Sequence, residues 1–499
     1  MQDAASPVRN STTMIATAIV AIILGYLYVQ AFAAGWRAIF MVHALVLFFL
    51  GCAVFIRDLR SFLLFVMIFA IPLQYGYHVT YQPLPEIETS PFSSGLRIDI
   101  VDVMLLLLYI HWGFSLAQQT LRRAHITLGG PIGKLLLIWT GYVLVAGILK
   151  AEHLNYTLYE VVELFKGFLL FFYLANNLTS ARDLRVVIYA LFANTIAQGL
   201  FIIFQYVTRL NYNVHGELST HFVALEGFRP AGFSGSWDES AAIMALALPA
   251  LVLCYFVIKD KARHRAALIS IGIVLLALIL TKVRGAYFAF FISAVTAVAM
   301  SYWRGWITAT QTFWVVFAAA GVLILGGPFI VHRLVTGTWG QDRIPLMLTA
   351  INMFKANWLL GVGANNYFFH IQQYLPVRLS GTWQYTVHNE YLQWAAETGL
   401  LGFLLYYTLV LVMMRKLWRL TVSADPWIFM ASLGFFTAVL GSLLYRMSSP
   451  YFFQPLYSEF CAILGITYLL GVLEKRRLSG ASTAAQSFSG SRMKRIHAP

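Results

Sequence analysis

PWIFMASLGFFTAVLGSLLYR occupies residues 426–446, and no charged side chain interrupts it before the terminal Arg446. Coiled into a helix, about 20 such residues match the thickness of a bilayer's hydrocarbon core. The same texture recurs on both sides of this stretch. Toward the C-terminus it returns at 455–473, and toward the N-terminus at 390–413, 310–331, 285–302, 266–281 and 240–258. It continues through 185–207, 158–176, 133–149, 98–117, 61–77, 38–56 and 14–34, with 61–77 the weakest run because Pro72 and Gln74 interrupt it. Of the 499 residues, 59% are hydrophobic and 11% charged, against about 25% charged in a soluble domain. A membrane β-barrel would show alternating segments of about ten residues, and none occurs. The expected fold is therefore an all-α polytopic transmembrane helix bundle of about 12–14 spans, with no internal repeat. The first run is longer than the apolar region of a signal peptide and reads as a retained span.

Charge gives the expected topology. The formal net charge is +14, but the basic residues sit in short clusters between apolar runs, which argues against nucleic acid as a partner. Cytoplasmic loops of membrane proteins are enriched in Lys and Arg. Placing the N-terminus in the cytoplasm puts Arg57 with Arg60, Arg122 with Arg123, Arg182 with Arg185, Lys259 to Arg265, Arg415 to Arg419 and the tail from Lys475 all on the inner side. Both termini are then cytoplasmic, and the tail 474–499 is expected to be basic and disordered. Cys52, Cys254 and Cys461 each fall inside a span. They offer neither a disulfide framework nor metal-ligand spacing and read as buried packing.

Three loops on the opposite side are long: 78–97, 208–239 and 332–389. Loops of that length usually have work to do. The last is aromatic-rich, with Tyr367, Phe368, Phe369, Tyr374, Trp383 and Tyr385. Such residues form either an interfacial belt or platforms for sugar stacking. Polar groups gather on this outer rim. Arg284 and Lys282 stand in TKVRGAYFAF, Arg229 in FRPAGFSGSWDES, and His388 opens VHNEYLQWAAETGLLG. A single Arg at a helix end commonly only snorkels, and a single His there is commonly a satisfied interfacial residue. Their concentration on one rim points instead to a site. Guanidinium groups match phosphate oxygens in a planar fork, and a neutral imidazole accepts a proton near neutral pH.

After His388, the residues Asn389, Gln393 and Glu397 recur every four positions, which predicts a polar stripe on one helix face lining a cavity. Glu397 would lie about 13 Å along a straight helix from His388, so its expected task is to brace a neighbouring span. Glu163 and Lys166 are expected to pair with each other within their span, close to Glu160, while Asp99 and Asp102 open another span. Glu86 and Glu88 make a weak acidic pair. The Gly361–Gly363 sequence GVG has no strand-to-helix context and is not a nucleotide loop.

At three stretches the chain resembles the superfamily of O-antigen ligases and polymerases. HNEYLQWAAETGLLG, from His388 to Gly402, is similar to its pattern of His-Ser/Asn, Leu and Glu-x-Gly. LTKVRGAY resembles its span-ending Thr-x-Ser-Arg-Gly, with Val283 where Ser is common. DRIPLMLTAINMFKANWLLGVGANNY, from Asp342, resembles the Arg and Gly-x-Gly segment that opens the large loop. The likeness runs from about residue 225 to 445, and the first half of the chain shares only its bundle of spans.

The resemblance implies a GT-C-like bundle with a large, partly helical periplasmic loop. N-terminal helices would occupy 1–207 and the catalytic region 208–473, its loop being 332–389. It implies an inverting glycosyltransferase of the bacterial inner membrane, acting on its periplasmic face. The donor would be an undecaprenyl-diphosphate-linked glycan and the acceptor a saccharide or a lipid-linked acceptor, with no cofactor, no metal ligands assigned and any metal requirement left open. By the same resemblance His388 would be the general base. Arg284, Arg229 and Arg343 would bind diphosphate, supported by Lys282, Asn389, Gln393 and Glu397. The sequence leaves polymerase and ligase unseparated, with a slight lean to polymerase. A polysaccharide or lipid-linked-sugar transporter is the competing class, although transporters place ionisable groups near the midplane, often in two related halves. A structural membrane subunit is a third, against which the long outer loops argue.

Overall fold

The computed structural model describes residues 58–73, 76–82, 94–118, 126–212, 218–219, 228–257, 260–335, 343–376, 386–448 and 454–496. The expected spans at 14–34 and 38–56, together with Cys52, Glu86, Glu88, Trp383 and Tyr385, lie outside them. By contacts the chain divides into two units, 1–67 with 103–126, and 68–102 with 127–499. The candidate site lies wholly in the second.

Among the described residues the fold is helical apart from two short antiparallel pairs, β1 (Gly76–His78) with β2 (Arg97–Asp99) and β3 (Asn211–Tyr212) with β4 (Leu218–Ser219). The described residues form fourteen α-helices. In chain order they are α1 (Leu59–Ala70), α2 (Ile100–Gln118), α3 (Gly130–Lys150), α4 (Leu154–Asn177), α5 (Ala181–Thr208), α6 (Trp237–Val257) and α7 (Lys261–Thr281). Then follow α8 (Arg284–Trp303), α9 (Ala309–Val335), α10 (Arg343–Ala356), α11 (Tyr367–Tyr374), α12 (Glu390–Leu420), α13 (Pro426–Tyr445) and α14 (Gln454–Ile496). Eight of them contain stretches long and apolar enough to cross a bilayer, those of α3, α5, α6, α7, α8, α12, α13 and α14. The weak run at 61–77 ends early: α1 stops at Ala70, and a single 3-10 turn at Ile71–Leu73 accommodates Pro72. At the other end of the chain, α14 continues to Ile496, through the basic segment whose composition suggested disorder.

Without a strong hydrophobic force between helices in lipid, close association needs small residues where backbones meet. Helix α13 provides them. A Cβ on Gly434 would lie 2.9 Å from that of Ala250 on α6, and Ser293 of α8 donates to the Thr437 carbonyl at 2.9 Å. Its far end is stitched down as well, since the Tyr445 hydroxyl donates to the Asp238 carbonyl at 3.0 Å. Helices α6, α8 and α13 thus form one tight group. A second centres on Trp139 of α3, fully buried, with Trp394 and Tyr406 of α12 at ring distances of 5.4 and 5.0 Å.

Two charges of α4, Glu163 and Lys166, are paired. Lys166 Nζ lies 3.0 Å from Glu163 Oε1, as its spacing predicts, and also 2.8 Å from Asp102 Oδ2 at the start of α2. It donates in addition to the Arg97 carbonyl. Asp99 and Asp102 cap one another through main-chain N–H donors, at 3.0 and 3.1 Å. Removing one partner of a buried pair leaves an uncompensated charge. The Lys166 side chain is 22% exposed, so Lys166→Met is expected to cost about 2 kcal/mol, below the fully buried range. A thermal unfolding curve in detergent that does not move would contradict this.

Candidate functional site

The turn between α7 and α8 begins the site. Thr281 ends α7, Lys282 takes a left-handed conformation (φ 58°), Val283 is the N-cap, and Arg284 is the first residue of α8. Arg229 is bonded to this turn. Its Nε donates to the Thr281 carbonyl at 3.2 Å and its Nη2 to the Lys282 carbonyl at 3.0 Å, while its guanidinium lies 5.3 Å from the Trp237 ring. A cation at the carbonyl end of a helix is well placed against the helix dipole. Tyr287, one turn into α8, lies within the electrostatic reach of both Arg229 and Arg284. Three cationic residues, Arg229, Lys282 and Arg284, therefore share one turn, and Arg229 also has a structural task there.

The segment holding Arg229 is itself anchored. Gly232, at φ 67°, presents its N–H to Gln205 Oε1 at 2.7 Å, and Ser240 Oγ donates to the Ala231 carbonyl at 2.6 Å. Phe233 stacks on Phe201 of α5 at 4.5 Å.

His388 is brought to the same end of the bundle. It lies just before α12, half-buried, between fully buried Val387 and Asn389, the helix N-cap. Val387 belongs to the apolar core of the large loop with Met353, Val362, Tyr367, Ile371 and Ala396. On the other side, Asn389 Nδ2 donates to the Met447 carbonyl at 3.4 Å, and the Glu390 N–H donates to the Arg446 carbonyl at 3.0 Å. The same 445–448 segment abuts the Arg284 turn, because a Cβ on Gly285 would lie only 2.7 Å from Ser448 Oγ. Contact by contact, Arg229 reaches Lys282, and Gly285, next to Arg284, reaches Ser448, whose neighbour Met447 binds Asn389 beside His388. Arg343 opens α10, which packs against α11 and α12.

The polar stripe differs from expectation. Asn389 is a cap, its Oδ1 accepting the Leu392 N–H at 3.1 Å. Gln393 and Glu397, each 4% exposed, are packed inside rather than lining an open cavity. Gln393 bonds to Glu397, and the Glu397 carboxylate accepts the Tyr367 N–H at 3.3 Å, at the start of α11. Glu397 braces the large loop, not a neighbouring span.

GVGANN, residues 361–366, is the other half of that brace. The Val362 and Gly363 N–H groups donate to the Ala396 and Glu397 carbonyls at 3.0 and 2.9 Å. Asn366 holds α4, with Oδ1 accepting the His153 N–H at 2.9 Å and Nδ2 donating to Thr157 Oγ1 at 2.8 Å. Gly399 breaks α12 here at φ 65°, ψ −173°, where a Cβ would lie 2.6 Å from the Leu360 nitrogen. Gly399→Ala is expected to destabilise by at least about 2 kcal/mol, from both left-handed strain and backbone overlap. A melting midpoint unchanged from that of the natural chain would contradict it.

The loop aromatics are divided. Tyr367 and Phe368 lie in the loop core, and burial, with Glu397 nearby, pushes the Tyr367 hydroxyl above its ordinary range. Phe369 packs on His153 at 4.0 Å and on Tyr156 at 5.2 Å. None of these three is a free stacking platform. Cys254 and Cys461 are buried, in keeping with a packing role.

Sequence reasoning missed Arg446. It is 5% exposed, with Nη1 donating to the Glu390 carboxylate and, at 2.8 Å, to the Tyr406 hydroxyl, and Nε donating to Ser442 Oγ at 2.9 Å. The available signal was an arginine closing the apolar run 426–446 and an acid two residues after His388.

The fold and this arrangement define a multi-pass helical membrane protein with its cations and imidazole gathered at one end of the bundle. Residues 269–407 match the family model for O-Antigen ligase. The match is narrower than the stretch from 225 to 445 over which the motifs suggest resemblance. It takes in Lys282, Arg284, Arg343, His388, Asn389, Gln393 and Glu397, and leaves Arg229 and Arg446 outside. No curated protein matches the chain.

Proposed function

We propose that this chain is a membrane glycosyltransferase of polysaccharide assembly. It moves a glycan from an undecaprenyl-diphosphate carrier to a saccharide acceptor on the periplasmic face of the bacterial inner membrane. The observation that carries the reading is the convergence of Arg229, Lys282 and Arg284 at a turn joined through 445–448 to the segment of His388. The basic clusters at 261–265 and 415–419 lie at the opposite ends of α7 and α12, as expected of cytoplasmic loops.

In the reaction, a bond forms between the acceptor oxygen and the anomeric carbon of the donor glycan, and the bond from that carbon to the diphosphate oxygen breaks. Polyprenyl diphosphate leaves with the electron pair, its charge met by fixed guanidinium groups and the N-terminus of α8. His388 takes the acceptor hydroxyl proton as the bond forms. A single displacement of this kind inverts the anomeric configuration. Arg343, at the entrance to the large loop, is assigned to the same diphosphate. Gln393 and Glu397 support the loop, and Asn389 fixes the start of α12.

Purified full-length protein, supplied with a polyprenyl-diphosphate oligosaccharide and a saccharide acceptor, is the test. The expected products are a lengthened or transferred glycan of inverted anomeric configuration and free polyprenyl diphosphate. Absence of transfer, with movement of the intact lipid-linked sugar across vesicles, would replace this reading with a transporter.

A further inference from the structure

We propose that the buried ion pair of Glu390 and Arg446 is a positioning device that sets His388 against the cationic turn. The inference rests on the proposed role of His388 as base. Arg446 lies after the last residue of α13 and Glu390 is the first residue of α12, so the pair clamps together the ends of two helices. The side chains are 6% and 1% exposed. Around the ion pair, Tyr406 and Ser442 hold the guanidinium, and the Glu390 N–H is bonded to the Arg446 carbonyl. The chain on each side of the clamp leads directly to the site. Two residues before Glu390 stands His388, and two residues after Arg446, Ser448 touches the Gly285 backbone position beside Arg284.

Helix ends in an apolar bundle do not need an ion pair for cohesion. Well-packed apolar residues often serve as well, because taking charges out of water is costly, and the best-attested use of a buried pair is to fix one register among alternatives. Here the register concerned is that of α12 against α13. A slip there carries the imidazole away from the anomeric carbon without disturbing the turn that grips the diphosphate. Arg446 and Glu390 are thus positioning residues that act through His388, and Arg446 is engaged by the protein rather than by substrate.

The pair predicts a split between turnover and binding. In full-length purified protein, Glu390→Gln and Arg446→Lys each keep a similar volume; the first removes the carboxylate charge and the second the guanidinium that also holds Tyr406 and Ser442. They are expected to lower kcat by about 10-fold or more, as displacement of a reacting group by about 1 Å can cost 10²-fold. The KM for polyprenyl-diphosphate glycan is expected to stay within about 3-fold, and of the two changes Arg446→Lys, which keeps a cation, should be the milder. His388→Ala is measured beside them. If His388→Ala is inactive while both pair variants turn over at the natural rate, the positioning role is wrong and the base assignment stands. If His388→Ala is itself fully active, the base assignment fails first. Pair variants that lose donor binding along with turnover, or that do not accumulate as folded protein, assign the pair to stability and overturn the inference.

Discussion

Replacing His388 with alanine is expected to lower kcat for glycan transfer by about 10²-fold or more, with the KM for the lipid-linked donor nearly unchanged. A saccharide hydroxyl is a poor nucleophile until its proton begins to leave, and an imidazole is the side chain best matched to accept it near neutral pH. His388 is held for the task from both sides, by Val387 in the loop core and by the Asn389 and Glu390 contacts to residues 446–447. Because the proposed mechanism gives the donor's diphosphate to the arginines, its binding should survive. A His388→Ala enzyme with natural kcat, measured on folded protein, would remove the base from the mechanism.

Arg284→Ala is expected to be as severe, by a different route. The leaving diphosphate gains charge as the glycosidic bond breaks. Removing one preorganised donor from such a site costs about 10²–10³-fold in rate. Arg284 stands at the first position of α8, where the helix N-terminus adds its own preference for an anion. Both donor KM and kcat should therefore worsen, in contrast to the His388 variant. Arg284→Lys should recover only part of the loss, since an ammonium is a point charge and lacks the planar fork. Full recovery with lysine would show that charge alone is needed there.

Much of the bundle was legible because bilayer chemistry writes it in plain composition. The runs at 133–149, 185–207, 285–302 and 426–446 each reappear as helices displaced by a few residues at their ends. The gathering of Arg229, Arg284 and His388 at one end of the bundle was legible too, since they stand at span boundaries of the same parity. The Glu163–Lys166 pair could be read from local spacing, but its third member, Asp102, lies in a distant segment that only folding brings near.

Features that depend on tertiary contact were not legible. Glu390 and Arg446 are separated by the whole of α12 and α13, and nothing local marks them as partners. The stripe of Asn389, Gln393 and Glu397 has the right period for a cavity wall, yet the Gly399 break and the returning GVGANN segment fill the space in front of it. Periodicity reports which residues share a face, not what covers that face. The bonds of GVG to Ala396 and Glu397 depend on left-handed Gly361 and Gly363, and on a partner about thirty residues later, which local sequence does not show.

The most direct test of the account is equilibrium binding of polyprenyl diphosphate to three folded variants in detergent or nanodiscs. His388→Ala is expected to bind with the affinity of the natural chain, and the Arg229→Ala/Arg284→Ala double variant to bind at least about 10²-fold more weakly, the loss of two charge-assisted contacts. Glu390→Gln should bind like the natural chain. Equal affinity in the double variant, or loss of affinity in His388→Ala, would contradict the division of labour between the cationic turn and the imidazole.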